Sequence, residues 1–405
     1  MSLYSSTSFR YLILTLLLLL SAGALQRASA QTTTEPTEAD HLFQVSVVPG
    51  LSTSADTRST SNISLNILAG SNGAFYGFEV GSLLNVNRYD VQGAQFSGLV
   101  NVNQQRAQGL MLGGLFNYTG SFQGANLSGV ATYNHGSSHG LLLSGALTYT
   151  QDFTNGVMAS GSFNIIPGST NGLLLSGGLN IVGEQQSGLM VAGGLNYARE
   201  SHGTHVSPLN IAESNSGVQF GVLNFSSRQS GTQIGLVNIV AEESEGTSVG
   251  LLSFVAGGRS NIDIWGSETG FLNAGLRIGT EHVYNVIGVG YNLFHGPNLW
   301  QVGLGIGYYQ PIGERGAGLE TDLLFFHLNH DDWWTNEISN HAQWRLHLTT
   351  SLSDWLGLFV GPSLNLMIID EELSIDHVPY SVAERIEDDI RLQWWVGGTL
   401  GFQFN

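Results

Sequence analysis

The segment Gly109-Leu-Met-Leu-Gly-Gly-Leu-Phe-Asn117-Tyr shows a pattern that recurs about a dozen times between residues 77 and 256. A Gly is followed by four mostly apolar or small residues, a second Gly, two further residues and then Asn or Thr. Successive polar positions are 15 or 16 residues apart up to Asn196 and 14 or 15 apart beyond it. A fixed period of this kind indicates one structural unit that is used many times. The polar positions are Asn85, Asn101, Asn117, Thr132, Thr148, Asn164, Asn180, Asn196, Asn210, Asn224, Asn238 and Ser253.

Side-chain character alternates within each repeat. In the segment 109–118, Leu110, Leu112 and Phe116 share one parity, whereas Met111 and Asn117 have the other. Because side chains in a β-strand alternate with a period of two, each repeat is predicted to form one strand with an apolar face and a small or polar face. About five residues remain for each connection, which suits a hairpin and is too short for a parallel crossover. The repeats are therefore predicted to form an antiparallel up-and-down sheet.

The apolar face of such a sheet needs cover, and the sequence offers no convincing amphipathic helix to supply it. An outer-membrane barrel covers this face with lipid and closes its own sheet edges. Counting about twelve repeat strands, seven after residue 269 and two before residue 71 predicts an all-β, antiparallel transmembrane barrel of roughly 18–22 strands. The predicted lumen-facing residues are Asn101, Asn117, Thr148, Asn164, Asn180 and Asn196.

A second architecture is the alternative to this single large barrel. The period changes after Asn196, and the repeat is lost after Phe254. A repeat sheet or β-solenoid would then extend to about residue 256, followed by a C-terminal barrel of about eight strands. Such a solenoid would be expected to hide the Leu and Phe face inside and to expose Ser, Gly and Asn.

Long and short connections alternate in the last third of the chain. The connections at 370–389 and 329–340 are long, whereas Ser353-Asp354 and the segment 311–316 are short. Outer-membrane barrels have short periplasmic turns and longer outside loops. This alternation therefore favours a barrel with a periplasmic C-terminus.

The N-terminus is typical of a secretory signal. Arg10 precedes an apolar run from Tyr11 to Leu20, and Ala28-Ser29-Ala30 has the small-x-small form of a cleavage site. Secretion followed by barrel formation predicts a location in the cell outer membrane. The predicted divisions are a signal peptide (1–30), a flexible leader (31–42), repeat β-strands (43–256) and C-terminal barrel strands with long outside loops (257–405).

Composition excludes several classes of function. The chain has no Cys, so disulfides, thiolate metal sites and cysteine nucleophiles are excluded. All 13 basic residues are Arg and the formal net charge is −18, which argues against a nucleic-acid partner. Charged residues make up only 11% of the chain, compared with about 25% in soluble domains. This low value indicates a chain that does not face water on all sides.

Two segments carry resemblances. The final strand places Trp394, Phe402 and Phe404 on one face, and it resembles the C-terminal recognition strand of bacterial outer-membrane barrels, although Asn405 follows the last aromatic. This resemblance implies lipid contact for the three aromatics and recognition by the barrel assembly machinery. The repeat Gly217-Val-Gln-Phe-Gly-Val-Leu-Asn224 resembles surface-repeat outer-membrane β-barrel proteins of double-membraned bacteria, over roughly half the chain. That resemblance implies a surface or outer-membrane location, and no activity can be inferred from it.

Few residues suggest chemistry. The candidates for a metal or acid–base site are His327, His330, Asp331, His341 and His347, but they show no strict ligand spacing. Thr349, two residues after His347, gives the nearest approach to a nucleophile beside a base. The acidic loops around 370–372 and 387–389 could bind divalent cations through oxygen ligands. A simpler interpretation is that the His and Asp candidates are ordinary polar loop residues and that the acidic residues are ordinary surface charges.

These observations predict a non-enzymatic integral outer-membrane β-barrel without a cofactor, acting as a passive pore or as a structural surface protein. Outer-membrane lipid is its expected partner. One alternative is an adhesin or interaction module whose repeat array is displayed on a C-terminal barrel. A weaker alternative is a barrel lipid hydrolase that uses the His cluster.

Overall fold

The computed structural model describes residues 41–49, 51–53, 59–242, 245–293, 299–313, 316–330, 333–373, 380–387 and 389–405. The predicted signal peptide and nearly all of the predicted leader lie outside the described residues. The described chain forms a sheet that is parallel apart from its antiparallel β1–β2 pair, followed by a separate antiparallel sheet that closes on itself. The all-β class and the two-part alternative are therefore confirmed, and the single barrel of roughly 18–22 strands is corrected to a solenoid followed by an eight-stranded barrel.

The strands of the parallel sheet are β1 (His41–Val48), β2 (Leu51–Ser52), β3 (Thr60–Asn66), β4 (Ala69–Asn72), β5 (Ala74–Gly81), β6 (Leu84–Asn87), β7 (Val91–Ser97), β8 (Val100–Gly113), β9 (Phe116–Ser128), β10 (Ala131–Asn134), β11 (Ser138–Ser144), β12 (Leu147–Thr150), β13 (Thr154–Ser160), β14 (Phe163–Ile166), β15 (Thr170–Ser176), β16 (Leu179–Ala192), β17 (Leu195–Ser201), β18 (Thr204–Val206), β19 (Leu209–Asn215), β20 (Val218–Gln229), β21 (Thr232–Val240) and β22 (Thr247–Val255).

The strands of the antiparallel sheet are β23 (Arg259–Ser267), β24 (Phe271–Gly279), β25 (Val283–Asn292), β26 (Leu299–Ile312), β27 (Ala317–His330), β28 (Ser339–Ser353), β29 (Leu356–Asp370), β30 (Ala383–Glu387) and β31 (Ile390–Phe404). A short 3₁₀ helix covers Glu371–Leu373.

Each repeat forms one coil of the solenoid. In the coil at 138–150, the first arm is β11 and the second arm is β12, with a turn at Gly145-Ala146 between them. Longer strands such as β8 combine the second arm of one coil with the first arm of the next. The prediction of one continuous antiparallel strand per repeat is therefore wrong, because the turn falls in the middle of the pattern and equivalent arms pair in parallel.

Equivalent residues of successive coils lie directly against one another. Asn180 is in register with Asn164 on one side and Asn196 on the other, and Gly156 is in register with Gly140 and Gly172. The recurring Asn and Gly positions of the repeat thus form two columns that run along the solenoid. A strict period is needed because a parallel stack places like side chains together.

Gly occupies two positions of the coil for a steric reason. Gly140 has a φ of +117°, and a Cβ atom there would lie 2.1 Å from the carbonyl oxygen of Gly124. At the turn between the arms, a Cβ on Gly145 would lie 2.0 Å from the carbonyl oxygen of Gly129. Successive coils approach too closely at these points for any side chain.

The second sheet is a closed barrel of eight strands: β23 to β29 follow in chain order, and β31 pairs with both β29 and β23. Strand β30 pairs with the start of β31, beyond the end of β23. Short turns follow β24, β26 and β28 at the end where β23 begins and β31 finishes, whereas the long loops lie at the other end.

The last coil of the solenoid contacts the outer wall of the barrel. The Asn285 side chain on β25 donates a hydrogen bond to the carbonyl oxygen of Gly250 on β22. Ile278 on β24 shares the outward parity of Leu276, but only 7% of its surface is exposed. This contact lies beside the short β24–β25 turn, so the solenoid adjoins the short-turn end of the barrel.

Candidate functional site: the interiors of the solenoid and the barrel

The polar repeat residues lie inside the solenoid. Asn101, Asn117, Thr148, Asn164, Asn180 and Asn196 are all fully buried. They line the interior of the coils instead of the lumen of a barrel. The expectation that a solenoid would hide its Leu and Phe face is also wrong, because Leu115 and Phe163 are among the exposed residues.

Paired hydrogen bonds stabilise this polar column, which shares the solenoid interior with buried apolar side chains such as Leu142 and Leu174. Asn180 accepts from Asn164 Nδ2 at 2.8 Å and donates to Asn196 Oδ1 at 2.9 Å. Its second amide hydrogen goes to the carbonyl oxygen of Val191, also at 2.9 Å. From Asn164 to Asn224, each Asn of this column donates to the next Asn and to a backbone carbonyl, so both of its amide hydrogens have acceptors. Asn therefore serves as an interior residue here.

One carboxylate also lies within the solenoid. Glu79 is fully buried, and its two oxygens accept hydrogen bonds from Asn66, Asn72, Asn87 and Gln95 at 2.7–3.0 Å. Burial raises the pKa of Glu79 above its ordinary value, and these hydrogen bonds oppose that rise. The four amides fill the space around the carboxylate, so the arrangement is a structural cage.

The barrel wall follows the alternation that the sequence predicts. On β31, Trp394 and Phe402 point outward and are 50% and 45% exposed, whereas Trp395 and Thr399 are buried inside. Phe404 is half-buried and stacks on Trp355 with ring centroids 6.3 Å apart. The outward apolar residues of the barrel include Ile262, Ile264, Leu272, Leu276, Val289, Tyr291, Leu304, Ile306, Leu319, Leu323, Phe325, Trp344, Leu346, Leu348, Val360, Leu364, Val396 and Leu400.

A network of ion pairs occupies the barrel interior near the short-turn end. Arg277 pairs with Asp263 and with Glu320, whose Oε2 is 2.6 Å from Nη1. Arg345 Nη2 lies 2.6 Å from Asp322 Oδ2, and this carboxylate is also 3.6 Å from Arg277 Nη2. All five side chains are fully buried. Three carboxylates thus lie against two guanidinium groups in the buried interior of the barrel.

Aromatic residues pack around these charges. The Arg345 guanidinium lies 4.7 Å from the ring of Trp265, and that of Arg277 lies 4.8 Å from the ring of Tyr284. Trp265 and Tyr284 belong to one buried apolar cluster, and Trp395 belongs to a second cluster nearer the long loops. An eight-stranded barrel has an interior just wide enough to be filled by side chains. The described residues fill it in this way.

A vestibule of about 470 Å³ opens at the short-turn end of the barrel. Arg259 lines it and lies 3.8 Å from the Tyr309 ring. The same guanidinium pairs with Glu320 at 2.9 Å, which is itself bound to Arg277. Within the described chain, the vestibule therefore ends at the buried ion pairs.

The predicted His cluster does not come together. His347 is buried inside the barrel, with Nε2 bonded to Thr399 Oγ1, whereas the His327 side chain stacks on Trp334 on the outside. His341 is buried and bonds to Asn365. The backbone amide of His330 bonds to Thr335 in the adjoining loop, and Asp331 lies outside the described residues. No group of three metal-ligating side chains forms among the residues that are described.

Thr399, His347 and Asp322 follow the order hydroxyl, imidazole and carboxylate. The sequence suggested Thr349 as the partner of His347, but Thr399 takes that place from across the barrel. His347 Nδ1 is 3.8 Å from Asp322 Oδ2, which is too long for a hydrogen bond. Thr399 is 3% exposed and His347 is fully buried. The Thr399 hydroxyl therefore faces the barrel interior and not the outer wall.

The predicted cation site at the acidic loops is only partly described. Glu371 and Glu384 both lie against Arg391, at 3.9 and 3.6 Å. Asp388 lies outside the described residues. A cation would therefore compete with an Arg that already neutralises these carboxylates.

No protein-family model, curated protein or solved structure matches the chain. Among the described residues, none belongs to a helix long and apolar enough to cross a membrane.

Proposed function

We propose that this chain is a structural protein of the outer membrane, in which the eight-stranded barrel is a closed anchor and the solenoid is the part it holds. The outward apolar face of β31 carries this proposal. Trp394 and Phe404 are ten residues apart, which is about 33 Å along a strand. At a tilt of about 40° this corresponds to about 25 Å, the height of the apolar band of known membrane barrels.

The buried network favours an anchor over a pore. A conducting barrel needs a continuous wet lumen, whereas Arg277, Arg345 and Trp265 fill this one. The folded full-length protein should show heat-sensitive migration on a denaturing gel. When the same preparation is incorporated into planar lipid bilayers, it should give no stable single-channel conductance. Regular channel openings from folded protein would contradict the anchor and support the passive pore.

The number of barrel strands decides at which end of the barrel the solenoid lies, and this separates a periplasmic solenoid from a displayed adhesin. Because eight strands return the chain to the end where it started, the solenoid and the C-terminus adjoin the same, short-turn end. Short turns face the periplasm in known barrels, so we propose that the solenoid is periplasmic. Protease added to intact cells should then leave residues 77–240 uncut until the outer membrane is permeabilised. Cleavage of this region in intact cells would favour the adhesin instead.

A further inference from the structure

The exposed charges of the solenoid lie along a single edge. Between residues 80 and 242, every accessible Arg, Asp or Glu lies at or next to the turn from the second arm of one coil to the first arm of the next. Arg199 pairs there with Glu213 of the next coil at 3.4 Å. The members of this charged edge are Arg88, Asp90, Arg106, Asp152, Glu184, Arg199, Glu200, Glu213, Arg228 and Glu242.

The opposite edge, formed by the turns between the two arms, carries no charge, and its larger side chains are apolar; we call it the apolar edge. In the same coils these turns contain only Gly, Ser, Ala, Pro, Leu and Val. Leu115 is 45% exposed, Val130 47% and Leu236 56%. Outward side chains of both arms next to this edge, such as Leu143 and Leu147, are apolar as well. The solenoid is therefore amphipathic across its section.

Backbone groups at the apolar edge are already paired. Leu115 N donates to Leu99 O at 2.8 Å, Val130 N to Leu115 O at 2.9 Å and Ala146 N to Val130 O at 2.8 Å. Hydrogen bonds thus continue from coil to coil through the turns. This feature matters because an unpaired backbone group in lipid costs several kcal/mol, and only structures that satisfy their own backbone enter the bilayer core.

A row of tyrosines lies between the apolar flank and the charged edge. The rings of Tyr118, Tyr133 and Tyr149 stack at centroid distances of 5.4 and 4.7 Å. Each occupies the second arm just before the charged turn. Tyr is enriched at the depth where hydrocarbon meets headgroups, since its ring is apolar and its hydroxyl is wet.

The depth of the apolar part fits one leaflet. From Tyr149 back to Gly145 is four residues, or about 13 Å of extended chain. One leaflet of the hydrocarbon core is about 15 Å, half of the usual 30 Å. The last coil also contacts the outer wall of the barrel through Gly250 and Asn285, so the two apolar surfaces are neighbours.

We propose that the apolar edge and flanks of the solenoid are immersed in one leaflet of a lipid bilayer, with the charged edge at the headgroups. This inference rests on the proposed function, because the barrel brings the solenoid to the membrane. The solenoid thereby covers membrane beside the barrel as a monotopic plate of parallel strands.

Single-cysteine labelling of the full-length chain tests this arrangement, because the natural sequence has no Cys. Val130→Cys and Leu236→Cys place a nitroxide at the apolar edge of two separate coils. Asp152→Cys is the matched position at the charged edge, and Leu400→Cys marks the barrel wall. Each protein is folded into phosphatidylethanolamine vesicles, and spin relaxation by oxygen, which concentrates in hydrocarbon, is compared with relaxation by a water-soluble nickel chelate.

The expected ratio of oxygen to nickel accessibility is several-fold higher at positions 130, 236 and 400 than at position 152. Water-like ratios at 130 and 236 with a lipid-like ratio at 400 would overturn the inference and leave the barrel anchor intact. A water-like ratio at 400 as well would overturn both proposals. Shielding of 130 and 236 from both reagents, with broadening between labels, would show that a second copy covers the apolar edge, and this also overturns the inference.

Discussion

Asn180 donates a hydrogen bond from its Nδ2 to the Oδ1 of Asn196, one coil further along the chain, at 2.9 Å. The same contact joins Asn210 to Asn224 at 2.9 Å. A polar side chain is thus the most regular component of the solenoid interior, and apolar side chains are free to face outward. The outward apolar face fits the lipid contact that we propose for the solenoid.

Removing one amide from the ladder of hydrogen-bonded Asn side chains should lower the stability of the solenoid. Asn180→Ala leaves the Asn164 amide, the Asn196 carbonyl oxygen and the Val191 carbonyl oxygen each without one partner. We expect the free energy of unfolding of the solenoid to fall by about 3 kcal/mol or more. Denaturant titration followed by circular dichroism measures this change. Asn155→Ala, at an exposed position of β13, is the control and should cost less than about 0.5 kcal/mol; equal losses would contradict the ladder.

The stability of the solenoid should depend on the protonation of His205. Burial lowers the pKa of this side chain from 6.5 to about 4, and its Nε2 bonds to Gln186 Oε1 at 3.2 Å. Because the folded-state pKa is the lower one, the stabilisation is present above pH 6.5 and is lost as the pH falls to 4. The loss should be about 3 kcal/mol.

A matched variant isolates this effect. His205→Gln places at this position the residue that its neighbour Gln219 already has in the next coil. Urea midpoints at pH 7 and pH 4 should differ much more in the natural protein than in this variant. An identical pH dependence of the two proteins would show that His205 titrates normally.

The Glu79 cage makes a separate prediction. Glu79→Gln replaces one acceptor oxygen with an NH₂ group that faces amide donors such as Asn87 and Gln95. At neutral pH, we expect a loss of about 1–3 kcal/mol in the free energy of unfolding. Glu200→Gln, at the exposed edge, is the control and should leave the unfolding midpoint unchanged. A stability gain in Glu79→Gln would mean that burial of the carboxylate outweighs its hydrogen bonds.

Asp322 should contribute strongly to the stability of the barrel. Its carboxylate contacts Arg345 at 2.6 Å and accepts from the Tyr284 hydroxyl at 2.5 Å. Asp322→Asn removes the carboxylate that pairs with Arg345, and loss of one partner of a buried pair costs about 3–5 kcal/mol. The heat-sensitive folded band should therefore disappear at a lower urea concentration. Asp354→Asn, in an exposed turn, is the control. The same urea resistance in both variants would contradict the claim that the buried ion pairs of Asp322 stabilise the barrel.

Much of the fold was accessible from sequence. The repeat period, the opposite parity of Phe116 and Asn117 and the alternating loop lengths of the last third all correspond to features of the structure. The sequence alternation does not reveal the turn inside the pattern, because it continues on either side of Gly113-Gly114 and imitates one long strand. Paired Gly residues at this point were the available signal.

The buried Asn column and the buried ion pairs of the barrel are harder to predict from the sequence than the fold. Hydrophobicity alone places Leu inside and Asn outside, but an Asn column can be buried once every amide finds the next coil. That condition depends on parallel register, which a single repeat does not reveal. In the barrel, Asp263, Arg277 and Asp322 occupy inward positions of otherwise apolar strands, and this parity could have indicated a buried network.

The most direct test of the account is a depth profile along the outer face of β31. Single nitroxides at Leu392, Val396, Leu400 and Phe404 are measured in lipid vesicles with oxygen and the nickel chelate. A strand that crosses the bilayer predicts a ratio that is highest at Val396 and Leu400 and lower at both ends. A flat profile with full access to the nickel chelate would contradict the membrane anchor.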